Sequence, residues 1–375
     1  MVSSNVKVLY FGSSKGIGLT EHLTEYAIGL KNNGMDIIVV YNGEEQRKGL
    51  IEKIQLNNIQ SLNVKNIENW RLIFNCIFFA KVIDKEDVDI IQCQGIYHLI
   101  ASRIARTISK KKPQIVTYAH AYVPPFANII LNRWSDLIFA VSNQTKKLLI
   151  EKGLDKNKIV VIYNTLNIDQ IRKYEKGDFN KEYNEIFEIA EKYKCIIWAS
   201  AHLSPKKGHT ELLFAAKRVI DQFPDVYFIL TGNGEFKKEL IKIVDELEIK
   251  KNILFVGKIR YPALIKLMKH SYIGVVPSHV ETFCHALIET MAVGKPVIST
   301  PVGIAEEIIV DGETGYITQI GNYEQLADKI IYLIQNESLV NHIGHNGMKL
   351  VETKFDINIV SKEILQIYRQ LSEQN

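Results

Sequence analysis

Residues 272–299, YIGVVPSHVETFCHALIETMAVGKPVIS, decide the fold class. An apolar run, Tyr272–Val276, leads into a polar loop and then a segment of helical period, Phe283–Val293. A Gly294-Lys295-Pro296 turn follows and opens a second apolar run, Pro296–Ser299. A strand apolar at every position is buried on both faces. A helix between two such strands makes them parallel members of a helix-covered sheet.

The same unit recurs in both directions. In the second half, strands are expected at Cys195–Ala199, Val226–Leu230 and Ile253–Val256, with helices at Thr210–Gln222 and Phe236–Glu246. In the first half, strands are expected at Val6–Phe11, Asp36–Tyr41, Asp89–Cys93, Gln114–Tyr118, Leu137–Val141 and Lys158–Ile162, with helices at Leu19–Asn32 and Ser142–Lys152. Two such series predict an α/β protein of two Rossmann-like, doubly wound domains. Between Asn164 and Lys194 the chain is crowded with charge and lacks a strand pattern. The domains are therefore placed at 1–165 and 190–355. An amphipathic closing segment, 356–375, has no strand after it and is expected to pack back on the first domain.

Composition narrows the function classes. A hydrophobic fraction of 46% and a charged fraction of 23% over 375 residues exclude a disordered or fibrous chain. No apolar run reaches the length of a membrane span, and the first residues hold a strand-like VKVLYF rather than a signal peptide. Cys76, Cys93, Cys195 and Cys284 are scattered without a CxxC pair, which argues against zinc and disulfides and fits a reducing cytoplasm. The net charge of +4 is unevenly shared. Residues 1–165 hold 21 Lys and Arg against 14 Asp and Glu, or +7; the remainder holds 25 against 28, or −3. The first half is thus suited to an anionic partner, whether a phosphate-bearing acceptor, membrane headgroups or nucleic acid.

Three motifs carry chemistry. GSSKGIG, Gly12 to Gly18, follows a strand and opens a helix, as in dinucleotide-binding loops. A short-chain dehydrogenase is excluded, because none of the 17 tyrosines has Lys four residues later and the second strand ends in Tyr41-Asn42 rather than an acid. The second motif is the pair Glu281 and Glu289, with free N–H groups expected near Cys284 and His285 at the helix start. The third is ASAHLSPKKGHTELLFAAKRV, residues 199–219, which places Lys207 and Gly208 at another helix start, where a lysine can meet phosphate oxygens.

Together these motifs resemble the retaining glycosyltransferases of family 4 (GT4), which have the GT-B fold of two Rossmann-like domains facing across a cleft. The resemblance rests on the Glu281–Glu289 spacing, the strand–turn–Lys207-Gly208–helix element, TGNGE (Thr231–Glu235), Val256-Gly257 and VDGETGYI (Val310–Ile317). In the first half it rests more loosely on Gly18, DIIQCQG, TYAHAY, AVSNQTKKLL and VVIYN. It implies that Glu289 binds the donor ribose, that Glu281 and the backbone of Thr282, Phe283 and Cys284 meet the donor sugar, and that Lys207 meets the diphosphate. The His285 N–H joins this set. Gly18 would let the first-domain loop approach the donor, His120 would face the sugar, and the base would lie near Val256–Arg260. His202 stands where the family usually has the Arg of a diphosphate clamp, and Thr282, Cys284 and Ile304 replace small residues. Those departures bear on donor identity more than on reaction class.

The implied function is retaining transfer of a sugar from a UDP- or GDP-type nucleotide sugar to a hydroxyl of a glycan or lipid-linked acceptor, in polysaccharide or glycoconjugate synthesis. Lys207, Glu281 and His120 would be the catalytic residues, and no cofactor or metal would be required. A glycosidase pair is disfavoured: retaining hydrolases hold their carboxyl groups about 5–5.5 Å apart, whereas eight helical residues advance about 12 Å. Asp87-Val88-Asp89 is formally a DxD metal motif but reads as structural at a strand start. A nonhydrolysing sugar-nucleotide epimerase and a non-catalytic sugar-nucleotide-binding protein remain the alternatives. No nucleic-acid module is recognisable. NWRLIFNCIFFAKVIDK, Asn69–Lys85, with Lys110, Lys111 and Lys112, reads either as a peripheral contact with an anionic membrane or as a sheet-covering helix.

Overall fold

The computed structural model describes residues 5–12, 21–41, 48–64, 70–119, 125–177, 180–200 and 202–373. The chain divides into two compact units, residues 1–167 with 355–375, and residues 168–354.

The first unit is built on a seven-stranded parallel sheet. Its strands are β1 (Lys7–Phe11), β2 (Asp36–Tyr41), β3 (Gln60–Asn63), β4 (Ile90–Cys93), β5 (Gln114–Ala119), β6 (Leu137–Ala140) and β7 (Ile159–Val161). They run in the order β3-β2-β1-β4-β5-β6-β7. The interior strands are buried at both parities because helices cover both faces: Leu9, Phe11, Ile91, Cys93 and Ile115 share one core, and the alternate positions Val8, Tyr10, Ile90 and Val116 are buried as well. Strand β3, QSLN, was not foreseen. It lies at the sheet edge, pairs on one side only and is half-exposed, so it carries no apolar signature.

The closing helix, Ile357–Ser372, belongs to this unit. The Leu166 N–H donates to the Phe355 carbonyl at 2.8 Å, and the Ile357 N–H donates to the Leu166 carbonyl at 2.9 Å. Asp356 caps the helix by accepting from the Asn358 N–H. Tyr368, fully buried, donates its hydroxyl to Gln92 Oε1 at 2.7 Å. Tyr26 and Tyr118 complete this polar island, their hydroxyls 3.2 Å apart.

The second unit has a six-stranded parallel sheet in the order β10-β9-β8-β11-β12-β13. The strands are β8 (Cys195–Trp198), β9 (Tyr227–Thr231), β10 (Ile253–Gly257), β11 (Ile273–Val276), β12 (Val297–Ser299) and β13 (Tyr316–Ile317). This unit begins at Ile168, not at 190. The charged stretch after Asn167 folds as helices Ile168–Lys176 and Asn180–Lys192. Its charges face solvent while Ile171, Phe187 and Ala190 are buried. In the first unit the formal DxD, read from sequence as structural, is tied down: Lys111 Nζ bonds Asp87 at 2.7 Å and Asp89 at 2.8 Å, and the Lys7 N–H donates to Asp89 at 2.9 Å.

Candidate functional site

In the second sheet the chain starts at β8, grows outward through β9 to β10, and then crosses to β11 on the other side of β8. The loops leaving β8 and β11 therefore diverge at a topological switch point, the place where open parallel sheets bind ligands. Lys207 lies after β8 and Glu281 after β11.

Each loop is locally determined. After β8, Pro205–Lys207 forms a single 3-10 turn, closed by the Lys207 N–H donating to the Ser204 carbonyl at 3.0 Å. Trp198 Nε1 donates to the Lys207 carbonyl at 3.2 Å, anchoring the turn to its strand. Gly208 then takes φ +65° and hands the chain to helix His209–Gln222. A Cβ on Gly208 would lie 1.8 Å from the Pro277 carbonyl oxygen, so only glycine allows the two loops this approach.

The β11 loop is latched to the first one at three points. The His279 N–H donates to the Lys206 carbonyl at 2.8 Å. His279 Nε2 bonds Glu211 Oε1, on the first turn of helix His209–Gln222, at 2.8 Å. Lys207 Nζ donates to Glu281 Oε1 at 2.6 Å. The Ser278 hydroxyl donates to the same Oε1 at 2.9 Å, so Oε2 accepts no hydrogen bond among the described residues. The Lys207 and Glu281 side chains retain 26% and 12% exposure, enough to meet a ligand while largely desolvated.

The helix bearing Glu289 runs from His285 to Ala292, two residues later than its apolar pattern suggests. The delay comes from Cys284, which takes φ +76° and so stands outside the helix. Burial pushes the Cys284 thiol up, Glu281 adds to the shift, and the Leu287 N–H and Lys207 oppose it, with Glu289 contributing last. Cys284 thus sits within electrostatic reach of Lys207, Glu281 and Glu289 together. Phe283 is buried, and its carbonyl accepts from the Ile304 N–H at 3.0 Å. Gly303, at φ +61°, permits this contact because a Cβ there would fall 2.5 Å from the same oxygen. The His285 ring, on the first residue of the helix, lies 5.3 Å from that of Phe283, and Glu289 is buried on the same helix.

His202 is exposed and forms an isolated bridge with Asn233 of the TGNGE turn. That turn in turn meets the Val256-Gly257 turn, the Gly232 N–H donating to the Gly257 carbonyl at 2.7 Å. Arg260 opens helix Tyr261–His270 after β10, two strand positions from β8. Gly18 and His120 lie outside the described residues. Ser278, Gly303 and the His279–Glu211 pair were not singled out from sequence. Ser278 sits in the Pro-Ser dipeptide, but no spacing rule links His279 to Glu211. Among the described residues, no cluster of three or more His, Cys, Asp or Glu is placed to hold a metal ion.

Two family models match, one to each half: Glycosyltransferase Family 4 over residues 17–170, and Glycosyl transferases group 1 over residues 180–350. An uncharacterized glycosyltransferase of Methanocaldococcus jannaschii is 28% identical over 95% of this chain and 95% of its own. The capsular polysaccharide biosynthesis glycosyltransferase CapM of Staphylococcus aureus is 31% identical over 62% of this chain and 60% of its own. The structure of Anabaena HepE in complex with UDP and glucose superposes with a TM-score of 0.77, at 21% identity, over 98% of this chain and all of that one. The chain belongs to the glycosyltransferases of the GT-B fold, with a Family 4 domain followed by a group 1 domain.

Proposed function

We propose that the protein transfers a sugar, with retention of anomeric configuration, from a UDP- or GDP-type nucleotide sugar to a hydroxyl of a glycan or lipid-linked acceptor. The observation that carries this reading is the Lys207–Glu281 pair, seated where the β8 and β11 loops diverge. A retaining donor site needs a cation for the leaving diphosphate beside an acceptor of sugar hydroxyl protons. These two side chains supply both. Lys207 has three N–H donors and gives one to Glu281, so the others can meet phosphate oxygens. Glu281 uses Oε1 for Lys207 and Ser278, which leaves Oε2 for a sugar hydroxyl.

The amino end of helix His285–Ala292 adds the positive end of its dipole for developing negative charge. Glu289, buried one turn further along, is suited to the ribose diol. In this reading Lys207 and the helix N–H groups stabilise the departing diphosphate without a metal, and Thr282, Phe283 and Cys284 line the sugar. Residues 1–165 take the acceptor side, consistent with their charge of +7. Gly18 and His120 are proposed to face the donor from that domain. The protein would act in the cytoplasm.

The test has two parts. A thermal-shift screen of UDP, GDP, ADP and their sugars should find one nucleotide that raises the melting temperature, since a ligand bound only to the folded state stabilises it by mass action. With that donor, Lys207→Ala and Glu281→Gln should each lower turnover by about 100-fold or more. NMR of the product should show the donor's anomeric configuration. Full turnover by either variant, or an inverted product, would overturn the assignment.

A further inference from the structure

The aromatic-rich segment that the transferase reading leaves unused splits into two faces. Leu72, Cys76, Phe79, Ala80 and Ile83 are buried in the core of the first unit. The opposite side carries Ile73, Phe74, Ile77 and Phe78, which are 38%, 77%, 62% and 42% exposed. They come from a 3-10 turn, Trp70–Asn75, and the first turn of helix Cys76–Glu86. Four large apolar side chains exposed within six residues form a patch, not scattered surface residues. On the same helix Lys81 and Lys85 follow Ile77 and Phe78 at spacings of four and seven, so all four share one helical face. Arg71 is exposed beside them.

The charges near this face are sorted. Asp84 accepts from the Lys110 and Lys111 N–H groups at 2.8 and 3.0 Å. Asp87 is paired with Lys111, and Glu86 lies within reach of Lys7 and Lys85. Lys112 Nζ is held by the Arg106 and Thr107 carbonyls at 2.9 and 3.1 Å. Of the three consecutive lysines, Lys111 and Lys112 therefore work inside the domain and add little to the outer surface. Arg71, Lys81 and Lys85 are exposed around the apolar patch and form a cationic fringe, Lys85 keeping 81% exposure beside Glu86.

We propose that this face docks on an anionic lipid bilayer, with Ile73, Phe74, Ile77 and Phe78 entering the headgroup–acyl boundary and Arg71, Lys81 and Lys85 meeting lipid phosphates. Charge complementarity selects this occupant. An apolar wedge flanked by long cationic stems suits an interface that is apolar below and anionic above, where the stems keep their charges in water. Lys207, Glu281 and Glu289, which carry the transferase reading, belong to the second unit and this face to the first, so the docking proposal can fail without disturbing that assignment.

The test uses the full chain in flotation with phosphatidylcholine vesicles, alone or with about one-third phosphatidylglycerol, at low and high salt. Binding should favour the anionic vesicles at low salt by about tenfold, with the preference shrinking as salt screens it. Phe74→Ser with Ile77→Ser and Phe78→Ser should cut binding to anionic vesicles at least about tenfold. Lys81→Glu with Lys85→Glu should abolish the preference for anionic lipid. Both sets change exposed side chains, and unaltered melting curves would show that the fold is kept. Absence of binding at low salt would overturn the proposal, as would equal binding to neutral vesicles or a triple variant that binds like the parent. Self-association lost in the same triple variant, without vesicle binding, would assign the face to a second copy of the chain and also overturn it.

Discussion

Gly208→Ala tests whether the meeting of the β8 and β11 loops creates the site. The substitution adds one methyl group at φ +65°, a conformation costing an L-residue about 1–2 kcal/mol. The new Cβ would also stand 1.8 Å from the Pro277 carbonyl oxygen and 2.6 Å from its carbon. Both are backbone atoms, so no side chain can swing away. Overpacking of this kind costs a further ~1–3 kcal/mol. A total of roughly 2–5 kcal/mol corresponds to a melting temperature lower by roughly 5–15 °C for a unit of this size. The strain can be relieved only by moving the loop that carries Ser278, His279 and Glu281 away from Lys207, lengthening a bond now at 2.6 Å. Turnover should then fall about 100-fold, as for loss of a positioned donor.

Gly321→Ala is the control. Gly321 has φ +81° in the same unit, but its Cβ position meets nothing within 4 Å. It should lose about 1–2 kcal/mol from φ alone and keep full activity. Differential scanning fluorimetry and a nucleotide-release assay on the pair separate the two effects. If Gly208→Ala matches Gly321→Ala in both stability and turnover, the loop contact does not hold the site together and the reasoning fails.

Other expectations follow from the same geometry. His209 is fully buried, and burial holds its imidazole down at about 4, the nearby Lys207 charge assisting. The unfolded chain protonates it near its ordinary value of about 6.5. Stability is therefore lost as pH falls from about 6.5 to about 4, by up to ~1.4 kcal/mol per pH unit. Urea midpoints for His209→Gln should lack that component; an unchanged pH slope would reject it. Glu211→Gln keeps an acceptor for His279 but removes its charge, so the donor's KM should rise severalfold with kcat little changed. A fall confined to kcat would contradict a positioning role for the pair. Tyr368→Phe should cost about 1 kcal/mol through the lost bond to Gln92. Tyr368→Ala should cost about 3–5 kcal/mol through the cavity left by a fully buried ring. Equal losses in calorimetry would show that packing does not hold the closing helix.

How much of this was legible depended on where each residue's environment is recorded. Interior strands such as β8 and β11 betray themselves because every side chain is buried, which leaves an unbroken apolar run. Edge strands do not. Gln60–Asn63 is half-exposed, and Tyr316–Ile317 is two residues long, recognisable only by its pairing with β12. The late start of the Glu289 helix was hidden for a different reason. The apolar pattern runs through Phe283 and Cys284, and nothing in a cysteine announces φ +76°.

Local order in the chain therefore sufficed for two parallel α/β units and for putting forward Lys207, Glu281 and Glu289 as candidates, because strand burial and helix starts are written in short windows. Pairing Lys207 with Glu281 required the tertiary structure. They stand 74 residues apart in sequence and meet because β9 and β10 fill one side of β8, leaving the other to β11. The same holds for charge. Composition alone showed a basic first half; only side-chain contacts reveal that Lys111 and Lys112 are engaged within the fold while Lys81 and Lys85 stand at the surface. A charge's partner is a matter of distance in space, which sequence order does not encode.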